Sequence, residues 1–186
     1  MVLLTRSDAL RRQLLETAPL PMNFRRLFRH LFSTRSAMRV NFNEAALSEI
    51  ELAIQEVESR ISGEVRFVVE AALDADELFA GVTPRARAIE VFSHLRVWDT
   101  EANNGVLIYV LLADRDVEIL ADRGLAARVP QSEWEAICRE IEAHFREGRF
   151  AQGSVAGVQS VGRLLERHFP GSGADANELP NQPVLL

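Results

Sequence analysis

The stretch GVLIYVLL, from Gly105 to Leu112, limits the fold more than any other part of the chain. It is apolar without alternation, which is typical of a strand covered on both faces, so we predict that it lies in the middle of a sheet. A turn at residues 113–116 follows, and Val117 to Ala121 returns as the second arm of a hairpin. A strand buried in this way needs helices on both faces of its sheet.

The flanking segments supply those helices and one more strand. Asn43 is a predicted N-cap of a helix that Gly63 ends, and residues 64–73 then alternate like a strand. Thr83 and Pro84 begin a helix that leads to the central strand, so the two strands are joined by a crossover and we expect them to be parallel. Two more helices follow before Pro170. We therefore predict an α/β fold in which a mixed sheet, parallel plus hairpin, is sandwiched between helices.

Charge divides the chain into unequal parts. Residues 1–40 hold eight arginines and two acids, whereas the rest of the chain is acidic and lysine is absent throughout. We predict a basic N-terminal arm over residues 1–40, an α/β domain over residues 41–170, and a Gly-, Ser-, Asn- and Pro-rich tail over residues 171–186. Met22 offers a second start, in which case residues 1–21 are a disordered extension or are not part of the native chain.

The arm contains one amphipathic pattern. Its apolar side chains recur with helical spacing at Phe24, Leu27, Phe28, Leu31 and Phe32, and arginines with one histidine lie opposite them. Such a helix suits contact with an anionic membrane surface or with a protein partner. In the alternative, its aromatic stripe closes the core of the acidic domain. No apolar stretch reaches the roughly 18 residues of a membrane-spanning helix.

Several function classes lack their motifs. Neither G-x-G-x-x-G nor a P-loop occurs, so we predict no nucleotide, and the acidic domain argues against nucleic acid because it would repel phosphate. The four histidines lie on four separate predicted helices, and the single Cys138 belongs to a buried stripe, so neither zinc spacing nor a reactive cysteine is indicated. We identify no catalytic residue.

Oxygen-bearing side chains collect at both edges of the predicted sheet. Asp99, Asn104 and Asp122 lie at one edge, where Glu64 also begins the first strand, and Asp74, Asp114 and Asp116 lie at the other. Carboxylate and amide oxygens suit Ca²⁺ or Mg²⁺. In the alternative, these acids are solvated loop residues of an acidic domain.

The string WDTEANNGVLIYVLLADRDVEILADRG, followed by FREGRFAQG, resembles the TPM domain, a family named for a plant thylakoid lumen protein. The resemblance covers about residues 43–170, and its most specific marks are Trp98, Asn104-Gly105, Asp114-Arg115, Gly124 and the stretch from Phe145 to Phe150. It implies an α/β sandwich, divalent cation binding, weak phosphatase activity and assembly or repair of membrane protein complexes.

The chain departs from the family in two respects. The Gly-x-Gly-Leu-Glu that often follows the returning strand is replaced by Asp122-Arg123-Gly124-Leu125-Ala126. The signal peptide and C-terminal membrane helix of many members are absent, so the sequence resembles a cytoplasmic bacterial branch and predicts a cytoplasmic location, peripheral to the inner face of the membrane.

The resemblance favours one edge, because Trp98 and Asn104-Gly105 converge there. We expect an accessory or interaction module that binds Ca²⁺ (or Mg²⁺) through Asp99, Asn104 and Asp122 and assists a membrane-associated complex. The alternative is a weak metal-dependent acid phosphatase, in which the cation polarises a phosphoryl oxygen and activates water.

Overall fold

The computed structural model describes residues 24–170 and 177–186. Its helices and strands follow in the order α1 (Phe24–Phe32), α2 (Arg35–Asn41), α3 (Glu44–Glu58), β1 (Glu64–Glu70), α4 (Ala75–Phe79), α5 (Pro84–His94), β2 (Gly105–Leu111), β3 (Asp116–Ala121), α6 (Arg123–Ala126), α7 (Gln131–Arg146), α8 (Phe150–His168) and β4 (Val184–Leu185). The predictions for residues 1–21 and for a start at Met22 lie outside the described residues.

The four strands form one mixed sheet in the order β3-β2-β1-β4. β1 and β2 are parallel, with Glu64 opposite Gly105 and Glu70 opposite Leu111, whereas β2 and β3 form the antiparallel hairpin. Every residue of β1 and of β2 is buried. The predicted mixed sheet with Gly105–Leu111 near its middle is therefore confirmed.

Alternate residues of the two central strands feed two apolar layers. Phe67 and Ile108 join the cluster that packs against α3, α7 and α8, whereas Val68 and Tyr109 join the cluster that packs against α5. Covering both faces with helices explains why GVLIYVL shows no polar alternation. The predicted sandwich is confirmed.

Two predicted helix starts are also observed. The Asn43 side chain accepts a hydrogen bond from the Ala46 N–H at 3.0 Å, and the Thr83 hydroxyl accepts one from the Ala86 N–H at 3.1 Å. In both cases the side chain satisfies a first-turn donor that the helix leaves unpaired.

The C-terminal residues pack against the sheet where the structure describes them. Val184 and Leu185 pair in parallel with Val68 and Val69 of β1, and Leu179 is buried. The sequence analysis treats this segment as part of a tail, because an apolar run as short as Val184 to Leu186 shows no periodicity.

Helix α1 forms where the amphipathic pattern predicts it, but its apolar face points outward. Phe24, Phe28, Leu31 and Phe32 are 63%, 56%, 70% and 73% exposed. The interpretation in which this stripe closes the core is therefore wrong for the described fold. No helix in residues 24–170 or 177–186 is long and apolar enough to cross a membrane.

Candidate functional site

Two glycines let a loop close over the edge where β1 and β2 begin. A Cβ on Gly105 would overlap the carbonyl oxygen of Val97, and a Cβ on Gly124 would lie 2.5 Å from that of Asn103. The Gly124 N–H donates to the same Asn103 oxygen at 3.1 Å. Any larger residue at either position would push away the loop that carries Asp99 and Asn104.

Asn104 enters this edge as a buried polar side chain, 4% exposed. Its backbone N–H donates to the Thr100 hydroxyl at 3.1 Å, and its amide nitrogen donates to the Ser62 carbonyl. Its amide oxygen, in contrast, is buried without a hydrogen-bond partner among the described residues. The loop thus holds one oxygen in place with no group of the described chain to satisfy it.

Asp122 lies across the hairpin from Gly105, the residue that follows Asn104. Its backbone N–H donates to the Gly105 carbonyl at 2.9 Å, and its Oδ1 accepts from the Arg123 N–H at 2.7 Å, at the start of α6. Its Oδ2 is buried and, within the described part of the chain, has no hydrogen-bond partner. Asp99, five residues before Asn104, is exposed. Asn104 and Asp122 are therefore both buried next to the Gly105 end of β2, whereas Asp99 is exposed in the loop before it.

An acidic cleft of about 720 Å³ opens at the same edge, between the end of α3, the start of β1 and residues 177–181. Its lining includes Asn104 and four acids, which are Glu58, Glu64, Glu101 and Glu178. The two oxygens of Glu64 accept from the N–H groups of Glu178 and Leu179 at 3.2 and 3.1 Å. The C-terminal segment is therefore a wall of the cleft.

Glu58 is the most perturbed acid of the cleft. Burial, together with the charge of Glu64, raises the pKa of the Glu58 carboxyl to about 8. Hydrogen bonds from the Val65 N–H, at 2.8 Å, and from the Asn181 amide oppose this shift in pKa without cancelling it. Glu58 is therefore mostly protonated at neutral pH. The sequence pattern indicated Glu64 at this edge but not Glu58, Glu101 or Glu178, which only the fold brings to the cleft.

The candidate metal ligands at this edge are all oxygen atoms. In residues 24–170 and 177–186, no three His, Cys, Asp or Glu side chains are grouped so that they could hold a metal ion. The unpartnered oxygens of Asn104 and Asp122 are nevertheless of the type that hard cations accept, with waters completing the coordination. The chemistry of these two oxygens suits a hard cation, whereas Asp99 is exposed.

The opposite edge is occupied by the arm. Asp114, whose side chain is 7% exposed, contacts Arg26 at 2.8 Å, Arg29 at 3.0 Å and the His30 Nε2 at 3.1 Å. Burial alone would raise the pKa of Asp114, but hydrogen bonds from Arg26 and His30 outweigh it and lower the pKa below its ordinary value. Its charge is thus balanced by protein groups.

The two other acids of that edge have different surroundings. The Asp74 backbone N–H donates to Glu77 Oε2 at 2.8 Å as part of a capping box that starts α4. Burial and the nearby charges of Glu118, Glu142 and Asp114 raise the pKa of Asp116 to about 6. Of the two predicted edges, the one with Asn104 and Asp122 is the better candidate.

Comparison with known proteins agrees with this fold. The family model of the TPM domain matches residues 41–164. The solved BA42 protein of the psychrophilic bacterium Bizionia argentinensis is 32% identical over 76% of this chain and 93% of its own, with a TM-score of 0.68. The N-terminal domain of a P. gingivalis protein shares the fold at 20% identity, over 68% of this chain and 77% of its own, with a TM-score of 0.55. A comparison with curated proteins gives no match.

Proposed function

The chain belongs to the TPM domain family, and from that premise we propose that it is an accessory module with two attachments. One is a divalent cation, Ca²⁺ in preference to Mg²⁺, at the edge that carries Asn104 and Asp122. The other is an anionic membrane surface, which α1 contacts from the cytoplasmic side. In this role the module assists a membrane-associated complex.

The observation that carries the cation proposal is the pair of buried oxygens without partners in the described chain, Asn104 Oδ1 and Asp122 Oδ2. A buried acceptor left unpaired costs about 1–3 kcal/mol, and a hard cation with its bound waters would give such oxygens partners. Asp99, exposed in the loop that precedes Asn104, is the third proposed ligand. Because Ca²⁺ accepts six to eight oxygens in flexible geometry, waters would fill the other positions.

Thermal unfolding of the full chain in EDTA and in excess Ca²⁺ tests this site. Ca²⁺ at about 100 times its Kd adds roughly 2.7 kcal/mol, which raises Tm by roughly 5–10 °C for a chain of this size. Asp122→Asn keeps the helix cap but loses the charge, so we expect at least tenfold weaker binding. Asp76→Asn, an exposed acid on α4, is the matched control. An equal rise in Tm for the native protein and Asp122→Asn would refute the site.

The membrane proposal rests on how α1 is held. Its basic side binds Asp114 through Arg26 and Arg29, and four large apolar side chains are left in solvent. Residues 24–43 contain no acid, and three more exposed arginines form no ion pair within the described chain, namely Arg25, Arg35 and Arg39. Aromatic side chains among unpaired arginines suit the boundary between anionic headgroups and acyl chains.

Co-sedimentation with vesicles tests this attachment. We expect the full chain to bind vesicles of phosphatidylglycerol and phosphatidylcholine in equal parts at low salt, and to bind pure phosphatidylcholine vesicles weakly. The double variant Phe28→Ser/Phe32→Ser should lose this binding. Leu52→Ser, which removes a 60% exposed apolar side chain from α3, is the control. No binding to the anionic vesicles would overturn the proposal and leave a protein partner as the ligand of α1.

A weak metal-dependent phosphatase is the second candidate, and one observation favours it. Glu58, protonated at neutral pH in the acidic cleft, is a proton donor at the edge proposed for the cation. Such an enzyme would hydrolyse p-nitrophenyl phosphate only with the divalent cation present, and Asp122→Asn would abolish turnover. Turnover that survives in this variant would exclude the mechanism.

A further inference from the structure

A second cavity, of about 370 Å³, lies at the carboxyl end of β2, under α2. We call it the arm pocket, because Ser33, Ala37 and Met38 of the arm form one of its walls. The other walls come from β2, the hairpin turn, α7 and the start of α8, and the apolar lining residues are Ala37, Met38, Val110, Leu112, Phe145 and Phe150. The volume lies within the range of small-molecule sites, roughly 300–1,000 Å³.

The aromatic wall of the arm pocket is preformed. Phe145 and Phe150 have ring centroids 5.0 Å apart, and Phe42 lies against both, at 6.1 and 5.7 Å. Three rings in mutual contact hold one another in position, so a ligand would find this wall already built. Residues 33–40 of the arm lie outside the region matched by the TPM family model, whereas the other lining residues lie inside it.

Three charged residues line the arm pocket, and two of them pair with each other. Arg146 pairs with Glu142 at 2.7 Å. Arg115 is exposed in the hairpin turn, with a positive φ of 56°, and its side chain forms no ion pair or hydrogen bond with the described residues. Arg115 is therefore the one charged lining residue of the arm pocket that has no ion-pair partner among the described residues.

We propose that the arm pocket binds an acyl carboxylate of medium length. The acyl chain lies against Met38, Val110 and Phe145, and the carboxylate pairs with Arg115 at the rim. A sugar or a nucleotide would find few free partners, since the Ser33 hydroxyl donates to the Ala71 carbonyl and Glu142 pairs with Arg146. Ligands of open α/β sheets also favour the carboxyl ends of parallel strands, where this pocket lies.

Calorimetric titration of the full chain with decanoate, below its micellar concentration, tests the proposal. Arg115→Gln is expected to weaken decanoate binding at least about tenfold, because a charge-assisted hydrogen bond is lost. Binding of uncharged decanol should not change in this variant. Ala37→Phe fills the pocket from an exposed position of α2 and should abolish binding of both compounds.

Two controls separate this pocket from the membrane surface of α1. Phe28→Ser should bind decanoate like the native protein, and Arg39→Gln, which removes a nearby arginine outside the pocket, should do the same. In the native protein, methyl NMR signals of Val110 and Leu112 should shift on titration, whether or not Ala37→Phe folds. Absence of decanoate binding, unchanged affinity in Arg115→Gln, or loss of affinity in Phe28→Ser would each overturn the proposal.

Discussion

Replacing Asp114 by Asn should release α1 while leaving the sheet intact. Arg26 donates to Asp114 from Nε at 2.9 Å and to the Val82 carbonyl at 2.7 Å, and the side chains of Arg26 and Asp114 are only 19% and 7% exposed. In Asp114→Asn the side chain is nearly isosteric but uncharged. The main loss is therefore the charge of the ion pair.

The size of the expected loss in docking free energy follows from how exposed the arginines that contact Asp114 are. A charge-assisted hydrogen bond contributes about 1.5–3 kcal/mol, so the sheltered Arg26 contact dominates. Arg29, whose side chain is 47% exposed, adds little because solvent screens it. We expect the docking of α1 to weaken by about 2 kcal/mol, which is roughly a 30-fold shift toward the detached state.

Hydrogen exchange measures this shift directly. In Asp114→Asn, the amides of α1 should exchange roughly 30-fold faster, while those of β2 keep their native rates. Asp116→Asn, in the same turn but without a hydrogen bond to the described part of the arm, is the control and should leave α1 unchanged. Equal α1 exchange in Asp114→Asn and the native protein would refute the anchoring role.

The same anchor has a defined pH dependence. In the folded protein, the pKa of Asp114 is below its ordinary value of 3.8. The stabilisation that the Asp114 carboxylate gives to the docking of α1 is therefore fully present above pH 3.8 and is lost as pH falls through the lowered pKa. The protection of the α1 amides, measured relative to the intrinsic exchange rate at each pH, should therefore fall only under acidic conditions.

Three further predictions concern the domain. The pKa of Glu58 is about 8 in the folded protein and 4.5 in the unfolded chain, so the free energy of unfolding should fall as pH rises between these values. In urea unfolding, Glu58→Gln should show a smaller fall in this free energy over the same pH range. Gly105→Ala should cost about 3 kcal/mol in thermal unfolding, because its Cβ would overlap the Val97 carbonyl. Gly81→Ala has open space around its Cβ but a φ of 72°, so it should cost less, about 1 kcal/mol, and equal losses in the two variants would contradict this reasoning. Leu179→Ala should lower the unfolding free energy by about 2 kcal/mol, because Leu179 is buried against the sheet, and an unchanged value would argue against that packing.

Long patterns in the sequence predicted most of the fold. The uniform apolar run from Gly105 and the caps at Asn43 and Thr83 depend on local chemistry, and each is found where it was expected. The helices α2, α4 and α6 were missed, because seven, five and four residues are too few to show a period.

The candidate site was only partly predictable. The hairpin register places Asp122 opposite Gly105, the residue that follows Asn104, and that register follows from the turn. The sequence did not show that the Asp99 side chain is exposed. The position of Asp99 depends on how the chain turns at Arg96, which has a φ of 53°. Periodicity also showed that the phenylalanines of α1 share a face, but not that an ion pair with Asp114 would turn this face outward.

The shortest strand has a consequence for solubility. β4 covers the outer side of β1 only at Val68 and Val69, and it is held there by backbone pairing that includes the Leu186 N–H donating to the Val69 carbonyl at 2.9 Å. An uncovered strand of this apolar character is a template for pairing with another chain. Residues 184–186 therefore protect the sheet from edge-to-edge association. Proteolytic removal of these residues would expose the backbone of β1 at Val68 and Val69 and promote aggregation of the folded domain.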